Sequence, residues 1–263
     1  MIGGRASSWR PVVLVALLAL AGTMGLGAAW AADAAWDGPE AVPEVTSDTL
    51  RGTVVLLHGL GRTHRSMRPM EASLEAAGYR VVNLGYPSRE HTVTALADTL
   101  AAALDRCCAD DAGPVHFVTH SLGGIVVRQF LATHPFDRLG RVVMLSPPNQ
   151  GSEIIDRLPP ELLDRVLGPA AAALSTDSTA VPARLPPAGF ELGVITGDAS
   201  INPLFSWWLP GEDDGKVSVE SAWVEGTDDF LVVPYTHAFI MRRDQVMRQV
   251  LACLLYTSDA ADE

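Results

Sequence analysis

Residues 119–124, with the sequence Thr-His-Ser-Leu-Gly-Gly, place a serine where an apolar strand gives way to a helix. A sharp turn at such a junction lifts the Ser121 hydroxyl above the carboxyl edge of a sheet. The small residues Gly123 and Gly124 let the strand and the helix pack closely around the turn, and a helix N-terminus stabilises nearby negative charge. Ser121 is therefore a candidate nucleophile for covalent catalysis.

Around Ser121 the apolar residues follow an alternating pattern of strand and helix. Strands are predicted at 53–57, 80–84, 115–119, 141–145, 191–196 and 230–233, and helices at 66–77, 94–104, 122–132 and 239–251. Short apolar strands that alternate with helices indicate a parallel sheet covered on both faces. The sequence therefore predicts an α/β fold, and it contains no internal repeat.

The composition of the 263-residue chain narrows the class of protein. The chain is 48% hydrophobic, which argues against disorder, and its net charge of −12 argues against a nucleic-acid-binding protein with a basic face. Three cysteines are too few for a disulfide scaffold, and the adjacent Cys107 and Cys108 are interpreted as two thiols at a helix end. Lys216 is the only lysine among the 19 basic residues.

The turn at Ser121 resembles the G-x-S-x-G nucleophile elbow of the α/β-hydrolase family, although Thr119 stands where the family has glycine. The resemblance is to secreted bacterial lipases and esterases, and it covers about residues 53–252. It implies a single-domain α/β-hydrolase fold with a mostly parallel sheet, helices on both faces and a small cap or lid insertion at about 149–187. It also implies that Ser121 is the nucleophile.

A second part of the resemblance is the loop at 58–61, with the sequence His-Gly-Leu-Gly, after the first strong strand. In the family this loop supplies one amide of the oxyanion hole, and the residue after the nucleophile supplies the other. The resemblance thus assigns that role to the backbone N–H groups of Leu60 and Leu122, where each donor is worth roughly 3–4 kcal/mol. The side chains of His58 and His120 are interpreted as structural.

The family's order along the chain is nucleophile, acid and histidine. His237 follows the last predicted strand and is the only histidine beyond residue 134, so it matches the family's general base. The run 214–217, Asp-Gly-Lys-Val, resembles the D-G-x-V acid loop of bacterial lipases, which makes Asp214 the preferred acid. Asp198, at the end of the fifth strand, is the alternative acid, and Asp213 is expected to be a solvated neighbour.

Two segments bear on the substrate. The cap or lid segment at 149–187 includes a predicted helix at 161–167, and its apolar residues suit either a lipid acyl chain or packing against the core. Four apolar residues precede the acid loop and are candidates either for an acyl or alcohol pocket or for the core: Phe205, Trp207, Trp208 and Leu209.

Both ends of the chain are expected to lie outside the hydrolase domain. Residues 1–31 have the basic start, apolar run and Ala-x-Ala site of a secretory signal peptide cleaved after Ala31, and an uncleaved membrane anchor is the alternative. In one reading frame, residues 253–263 match the translation of a transposon-based sequencing adapter. We therefore expect the hydrolase domain to span 32–252.

Together these features predict a secreted serine carboxylic-ester hydrolase, an esterase or lipase with an acyl-enzyme intermediate on Ser121. An acyltransferase, an amidase or a polyester hydrolase would use the same residues, and a non-catalytic binding protein on a hydrolase scaffold is a further alternative. The expected substrate is a small-molecule or lipid ester. We expect no nucleic-acid partner and no stable membrane insertion after signal cleavage, and we expect the protein to be a monomer. We expect no cofactor, and no zinc-ligand spacing or dinucleotide fingerprint is found.

Overall fold

The computed structural model describes residues 51–109 and 113–255. Within these ranges six strands form one sheet, and every neighbouring pair of strands is parallel. The strands are β1 (Thr53–Leu57), β2 (Arg80–Leu84), β3 (Val115–His120), β4 (Leu139–Leu145), β5 (Leu192–Gly197) and β6 (Asp229–Val233). Their spatial order is β2-β1-β3-β4-β5-β6, so the predicted α/β fold with a parallel sheet is confirmed.

Four longer helices occur in the described ranges: α1 (Arg68–Ala76), α2 (Val93–Cys108), α3 (Leu122–Thr133) and α4 (Asp244–Leu255). The shorter helical segments are His64–Met67, Glu153–Arg157, Pro160–Leu162, Leu163–Leu167, Pro169–Ala172, Val181–Arg184, Pro203–Ser206, Val219–Ala222 and Ile240–Arg242. A search of the described helices finds no segment with the length and hydropathy of a membrane span.

The side chains of β1 show how the sheet separates two apolar layers. Val55 and Leu57 lie in the layer that contains α2 and α3, whereas Val54 and Leu56 lie in the layer that contains α1 and α4. Successive side chains of a strand point to opposite faces, so a strand that is buried on both faces has a continuous apolar sequence. This is why β1 could be predicted from a short run of valine and leucine.

The segment at 149–187 consists of short helical pieces. The helix predicted at 161–167 is divided into Pro160–Leu162 and a π-helical turn at Leu163–Leu167, in which the Gly168 amide donates to the Leu163 carbonyl at 2.7 Å. Gly168 has a φ of 84°, which glycine adopts without the penalty of a Cβ atom, and the helical turn ends there.

Arg128, a buried residue of α3, holds both ends of this segment. Its guanidinium donates to the backbone and side-chain oxygens of Asn149 at 3.1 and 3.2 Å and to the Pro186 carbonyl at 3.0 Å. Burial lowers the pKa of the guanidinium to about 10, so Arg128 stays charged at neutral pH. The role of Arg128 is absent from the sequence analysis, because no local pattern marks an arginine as buried.

At its C-terminal end α2 is held by two arginines from neighbouring strands and loops. Arg80 donates to the Cys107 carbonyl at 2.8 Å, and Arg138 donates to the Cys108 carbonyl at 2.6 Å. Positive charge at this position complements the helix dipole. The sulfur atoms of Cys107 and Cys108 are paired as a disulfide, so the expectation of two thiols is wrong.

The final helix continues to Leu255, and Leu254 is buried in the same layer as α1. The Cys253 carbonyl accepts a hydrogen bond from Arg141 of β4 at 2.8 Å. The first residues of the expected adapter-derived tail are therefore helical and packed. The rest of that tail, and the expected signal peptide with its cleavage site, lie outside the described residues.

Candidate active site

Ser121 occupies the turn between β3 and α3, at the carboxyl edge of the sheet. Its φ and ψ are 54° and −122°, in a region that costs a residue with a side chain about 1–3 kcal/mol. The Ser121 amide donates to the Leu145 carbonyl at 2.9 Å, and the Ser121 carbonyl accepts from the Gly124 amide at 3.0 Å. These bonds hold Ser121 in the strained conformation.

Glycines allow two neighbouring segments of the backbone, the end of β1 and the loop at 58–61, to approach this turn closely. A Cβ atom on Gly123 would lie 2.8 Å from the Leu57 carbonyl oxygen, which is too close for any other residue. A Cβ atom on Gly59 would lie 3.1 Å from the Ser121 Cβ, so the loop at 58–61 lies directly against the serine. In the described ranges, the amide of Leu60 in this loop donates to no other residue.

The amide of Leu122, like that of Leu60, has no hydrogen-bond acceptor among the described residues. Leu122 is the first residue of α3, where a helical amide lacks an intrahelical acceptor, and its N–H donates to no residue within the described parts of the chain. An oxyanion hole requires amide donors that have no other acceptor, and the amides of Leu60 and Leu122 meet that requirement.

His237 and Asp214 form a buried pair. His237 Nδ1 lies 2.8 Å from Asp214 Oδ2, and the His237 amide donates to the Asp214 carbonyl at 2.9 Å. The other carboxylate oxygen, Oδ1, accepts from the amides of Lys216 and Val217 at 3.0 and 2.9 Å. With Nδ1 engaged by the carboxylate, His237 Nε2 contacts no hydrogen-bonding partner among the described residues and is free to accept a proton.

Asp198 and Asp213, the neighbours of this pair, are placed differently from each other. Asp198 is exposed at the end of β5 and makes no side-chain bond to His237. Asp213 is buried, contrary to the expectation of a solvated residue, because its Oδ1 accepts from the Ser206 hydroxyl at 2.9 Å and from the Gly215 amide at 2.7 Å. Asp213 therefore shapes the acid loop, while Asp214 bonds the histidine.

His120 connects the serine turn to His237. Its Nε2 donates to the His237 carbonyl at 2.9 Å, and the centres of the two rings are 4.9 Å apart. Burial, followed by the charge of His237, lowers the pKa of His120 well below its usual value, so its imidazole is neutral at neutral pH. This contact brings His237 beside the residue that precedes Ser121.

His58 fixes the loop at 58–61. Its Nδ1 donates to the Gly59 carbonyl at 2.9 Å, its Nε2 accepts from the Tyr86 amide at 3.4 Å, and its ring stacks on the Tyr86 ring at 4.2 Å. The Tyr86 hydroxyl also donates to the His58 carbonyl. Burial lowers the pKa of His58 and favours the neutral ring that these bonds require.

The four candidate pocket residues before the acid loop do not share one environment. Phe205 and Leu209 are buried, Trp208 is half-buried with its ring 5.6 Å from that of Phe205, and Trp207 is 79% exposed. Trp207 thus faces solvent, whereas Phe205 and Leu209 pack inside the protein. Among the described residues, no group of three or more histidine, cysteine or acidic side chains is arranged to hold a metal ion.

Comparisons with known proteins agree with this architecture. The mature lipase BlEst2 of Bacillus licheniformis has a TM-score of 0.65 at 18% identity, over 81% of this chain and 96% of the lipase. The metagenomic carboxyl esterase MGS0156 has a TM-score of 0.64 at 19% identity, over 92% of this chain and 89% of the esterase. An extracellular α/β-hydrolase from a Paenibacillus species has a TM-score of 0.54 at 14% identity, over 79% and 100% of the two chains.

No match is found among curated protein sequences. The model of the alpha/beta hydrolase family matches residues 54–260, which is most of the chain. The resemblance to the α/β-hydrolase family, inferred from the motifs, is confirmed by this match, and the structural neighbours share the fold. The protein belongs to the alpha/beta hydrolase family.

Proposed function

We propose that the protein is a serine carboxylic-ester hydrolase in which Ser121 is the nucleophile, His237 the general base and Asp214 the acid that orients it. The observation that carries the proposal is the buried bond between His237 and Asp214, formed beside the strained turn that presents Ser121. A buried histidine with one nitrogen on a carboxylate and the other free is suited to move a proton.

Acylation begins when Ser121 Oγ attacks the ester carbonyl and its proton passes to His237 Nε2. The carbonyl oxygen becomes an oxyanion that accepts hydrogen bonds from the amides of Leu60 and Leu122. Asp214 stabilises the positive charge on His237 through the bond to Nδ1. The C–O bond to the alcohol then breaks, and His237 Nε2–H gives its proton to the leaving alcohol, so that an acyl ester of Ser121 remains.

Deacylation uses the same groups in the same order. Water takes the place of the alcohol, gives a proton to His237 Nε2 and attacks the acyl carbonyl. Collapse of the second tetrahedral intermediate breaks the bond to Ser121 Oγ, which recovers the proton from His237. The acid leaves, and the enzyme returns to its starting state with no change in oxidation state.

We further propose that the enzyme is exported, with residues 1–31 removed after Ala31, and that it acts as a monomer. The basic start, apolar run and Ala-x-Ala site support export. Expression of the full chain in a bacterial host, followed by N-terminal sequencing of the product outside the cytoplasm, checks the cleavage site. Light scattering after size exclusion checks the monomer.

Hydrolysis of p-nitrophenyl esters from acetate to palmitate tests the activity and gives the preferred acyl chain. We expect the wild type to release p-nitrophenol and Ser121→Ala to lose this activity almost completely. A fluorophosphonate probe should label the wild type and fail to label Ser121→Ala. A folded wild type that is not labelled would instead favour a binding protein on a hydrolase scaffold. Ester products that appear when alcohols are added would favour an acyltransferase.

A further inference from the structure

Two cationic side chains adjoin the proposed catalytic residues, and neither forms an ion pair with a described residue. Arg62 follows the loop at 58–61, two residues after Leu60, and Lys216 lies two residues after Asp214. Both side chains are half-buried. The ion pairs formed within the described residues join His134 to Asp98, Arg141 to Glu191 and His237 to Asp214, and none of them includes Arg62 or Lys216.

The backbones that carry these cations are fixed. The Arg62 amide donates to the Gly59 carbonyl at 3.1 Å and closes the turn that lies against Ser121. The Lys216 amide donates to Asp214 Oδ1, and the Lys216 carbonyl accepts from the Ser152 hydroxyl at 3.0 Å. The two side chains therefore start from rigid points on the two loops that carry the proposed oxyanion amide and the proposed acid.

The charges of Arg62 and Lys216 act on each other and on the site. Burial, followed by the charge of Arg62, lowers the pKa of Lys216, and Asp214 opposes this effect. Both cations also contribute to the lowered pKa of His120, behind the larger effects of burial and of His237. Both loops are also connected to His120, the residue that precedes Ser121. A Cβ atom on Gly59 would lie 2.8 Å from His120 Nδ1, and the carbonyl of His237, whose side chain is bonded to Asp214, accepts from His120 Nε2 at 2.9 Å.

Asp214 does not supply the missing partner for both cations. Its Oδ2 is bonded to His237 and its Oδ1 to two backbone amides, so its hydrogen-bonding capacity is largely used. Arg242, an exposed cation, adds further positive charge near Arg62 and lowers the pKa of that guanidinium after burial does. A chain with a net charge of −12 therefore places two cations that form no ion pair with a described residue on the loops beside its candidate nucleophile.

We propose that Arg62 and Lys216 form a binding subsite for an oxyanion, and that the enzyme prefers esters carrying a carboxylate or phosphate group near the ester bond. Half-buried cations that lack a partner lose hydration, and an anionic ligand restores favourable interactions to both. Arginine presents a planar fork to such a group, and lysine supplies a mobile point charge. This inference rests on the proposed ester hydrolysis.

Matched substrate pairs test the subsite. Mono-p-nitrophenyl glutarate and its neutral methyl ester place the charge on the acyl side, while 3-acetoxybenzoate and its methyl ester place it on the alcohol side. 3-Acetoxyphenyl phosphate replaces that carboxylate by a phosphate. In the wild type at low ionic strength we expect kcat/KM to favour the charged member of at least one comparison by about tenfold, the scale of one charge-assisted hydrogen bond.

The ratio of kcat/KM for the charged ester to kcat/KM for its neutral partner is then measured in Arg62→Gln and Lys216→Met. Each substitution should lower the ratio about fivefold or more, and the ratio cancels any general loss of activity. Lys216→Arg keeps the charge and should restore much of the preference. Arg65→Gln, on an exposed arginine in the next turn of chain, is the matched control and should leave both the ratio and the activity unchanged. Added salt should weaken the wild-type preference.

The outcomes separate this inference from the proposed function. Hydrolysis of neutral esters without preference for any charged partner would overturn the subsite and leave the esterase proposal intact. An equal loss for charged and neutral esters in Lys216→Met would show that Lys216 only supports the acid loop. If no ester is cleaved, calorimetric binding of phenyl phosphate and of benzoate to the folded protein decides. Binding that weakens in Arg62→Gln supports the subsite, and no binding rejects it.

Discussion

His237 and Asp214 are joined twice, by a 2.8 Å bond between Nδ1 and Oδ2 and by a 2.9 Å bond between the His237 amide and the Asp214 carbonyl. The side-chain bond sets the tautomer and orientation of the imidazole. The backbone bond fixes the distance between the acid loop and the chain after β6. The imidazole is therefore oriented before any substrate binds, which is the condition for efficient general-base catalysis.

The first prediction concerns the charge of Asp214. Asp214→Asn keeps the shape of the side chain but removes its charge and allows an N–H group to face His237 Nδ1. We expect kcat/KM for p-nitrophenyl esters to fall by about 10³–10⁴-fold with little change in KM, because the wrong tautomer of the histidine is then favoured. Steady-state kinetics and a thermal melt of each protein measure this effect.

Asp198→Asn is the matched comparison, because Asp198 is the alternative acid by sequence and is exposed in the structure. It should retain the wild-type kcat/KM. The reverse result, in which Asp198→Asn is inactive and Asp214→Asn is active, would contradict the assignment of the acid.

The second prediction concerns Arg128. Arg128→Met removes the donors to Asn149 and Pro186 and leaves the buried oxygens of Asn149 without this partner. We expect the free energy of unfolding to fall by about 2–4 kcal/mol, because the lost bonds leave desolvated acceptors on Asn149 and release the Pro186 carbonyl from the charged group. Urea unfolding measures this loss. Limited proteolysis should also cut the segment at 149–187 faster than in the wild type.

Arg184→Met controls for the loss of an arginine in the same region. Arg184 lies within the segment and is exposed, so its replacement should change the free energy of unfolding by less than about 0.5 kcal/mol. Equal effects of the two substitutions would mean that Arg128 does not anchor the segment.

The third prediction uses the glycines of the serine turn. Gly123→Ala places a methyl group against the backbone oxygen of Leu57, which cannot move without shifting β1, whereas Gly124→Ala meets the flexible Met144 side chain at 3.0 Å. We expect Gly123→Ala to cost about 1–3 kcal/mol of stability and to lower activity, because α3 must move away from β1. Gly124→Ala should be milder.

Gly189→Ala provides the baseline for this comparison, since its added methyl group would meet no atom within 4 Å. Circular dichroism melts and ester kinetics should show the largest loss of stability and activity in Gly123→Ala, a smaller loss in Gly124→Ala and the smallest in Gly189→Ala. A Gly123→Ala protein that matches the Gly189→Ala protein would contradict close packing at the turn.

Structural features that depend on short, local stretches of sequence, such as the strands and the serine turn, could be predicted. The strands are runs of valine and leucine because both of their faces are buried, and the turn at Ser121 is marked by glycines whose added Cβ would strike a neighbouring chain. The bond between Asp214 and His237 is predicted only through the family resemblance, since 23 positions separate the two residues along the chain.

Features that depend on distant contacts could not be predicted in this way. Burial of Asp213 follows from its bonds to Ser206 and Gly215, and burial of Arg128 from carbonyls on both ends of the segment at 149–187. Neither environment leaves a periodic trace in the sequence. Lys216 is recognisable as the only lysine of the chain, but its backbone bonds to Asp214 and to the Ser152 hydroxyl depend on the folded loops.

The fourth prediction concerns the pH dependence of stability. Burial, followed by the charge of Arg141, lowers the pKa of His116, although Glu191 opposes this effect. His116 Nδ1 accepts a hydrogen bond from the Arg141 amide at 2.9 Å, so the folded state requires a neutral ring. His58 and His120 are buried with lowered pKa values as well.

The unfolded chain therefore binds more protons than the folded chain once the pH falls below about 6.5, the usual pKa of histidine. The stability that these neutral rings contribute is fully present above that pH and is lost as the pH falls towards their folded values. Urea unfolding should give a smaller free energy of unfolding at pH 5 than at pH 7.

The variant His116→Asn isolates the contribution of His116. It keeps an acceptor for the Arg141 amide but does not titrate, so its free energy of unfolding should fall less between pH 7 and pH 5. His91→Asn replaces an exposed histidine and should follow the wild type. Parallel pH profiles for His116→Asn and the wild type would contradict a contribution from His116.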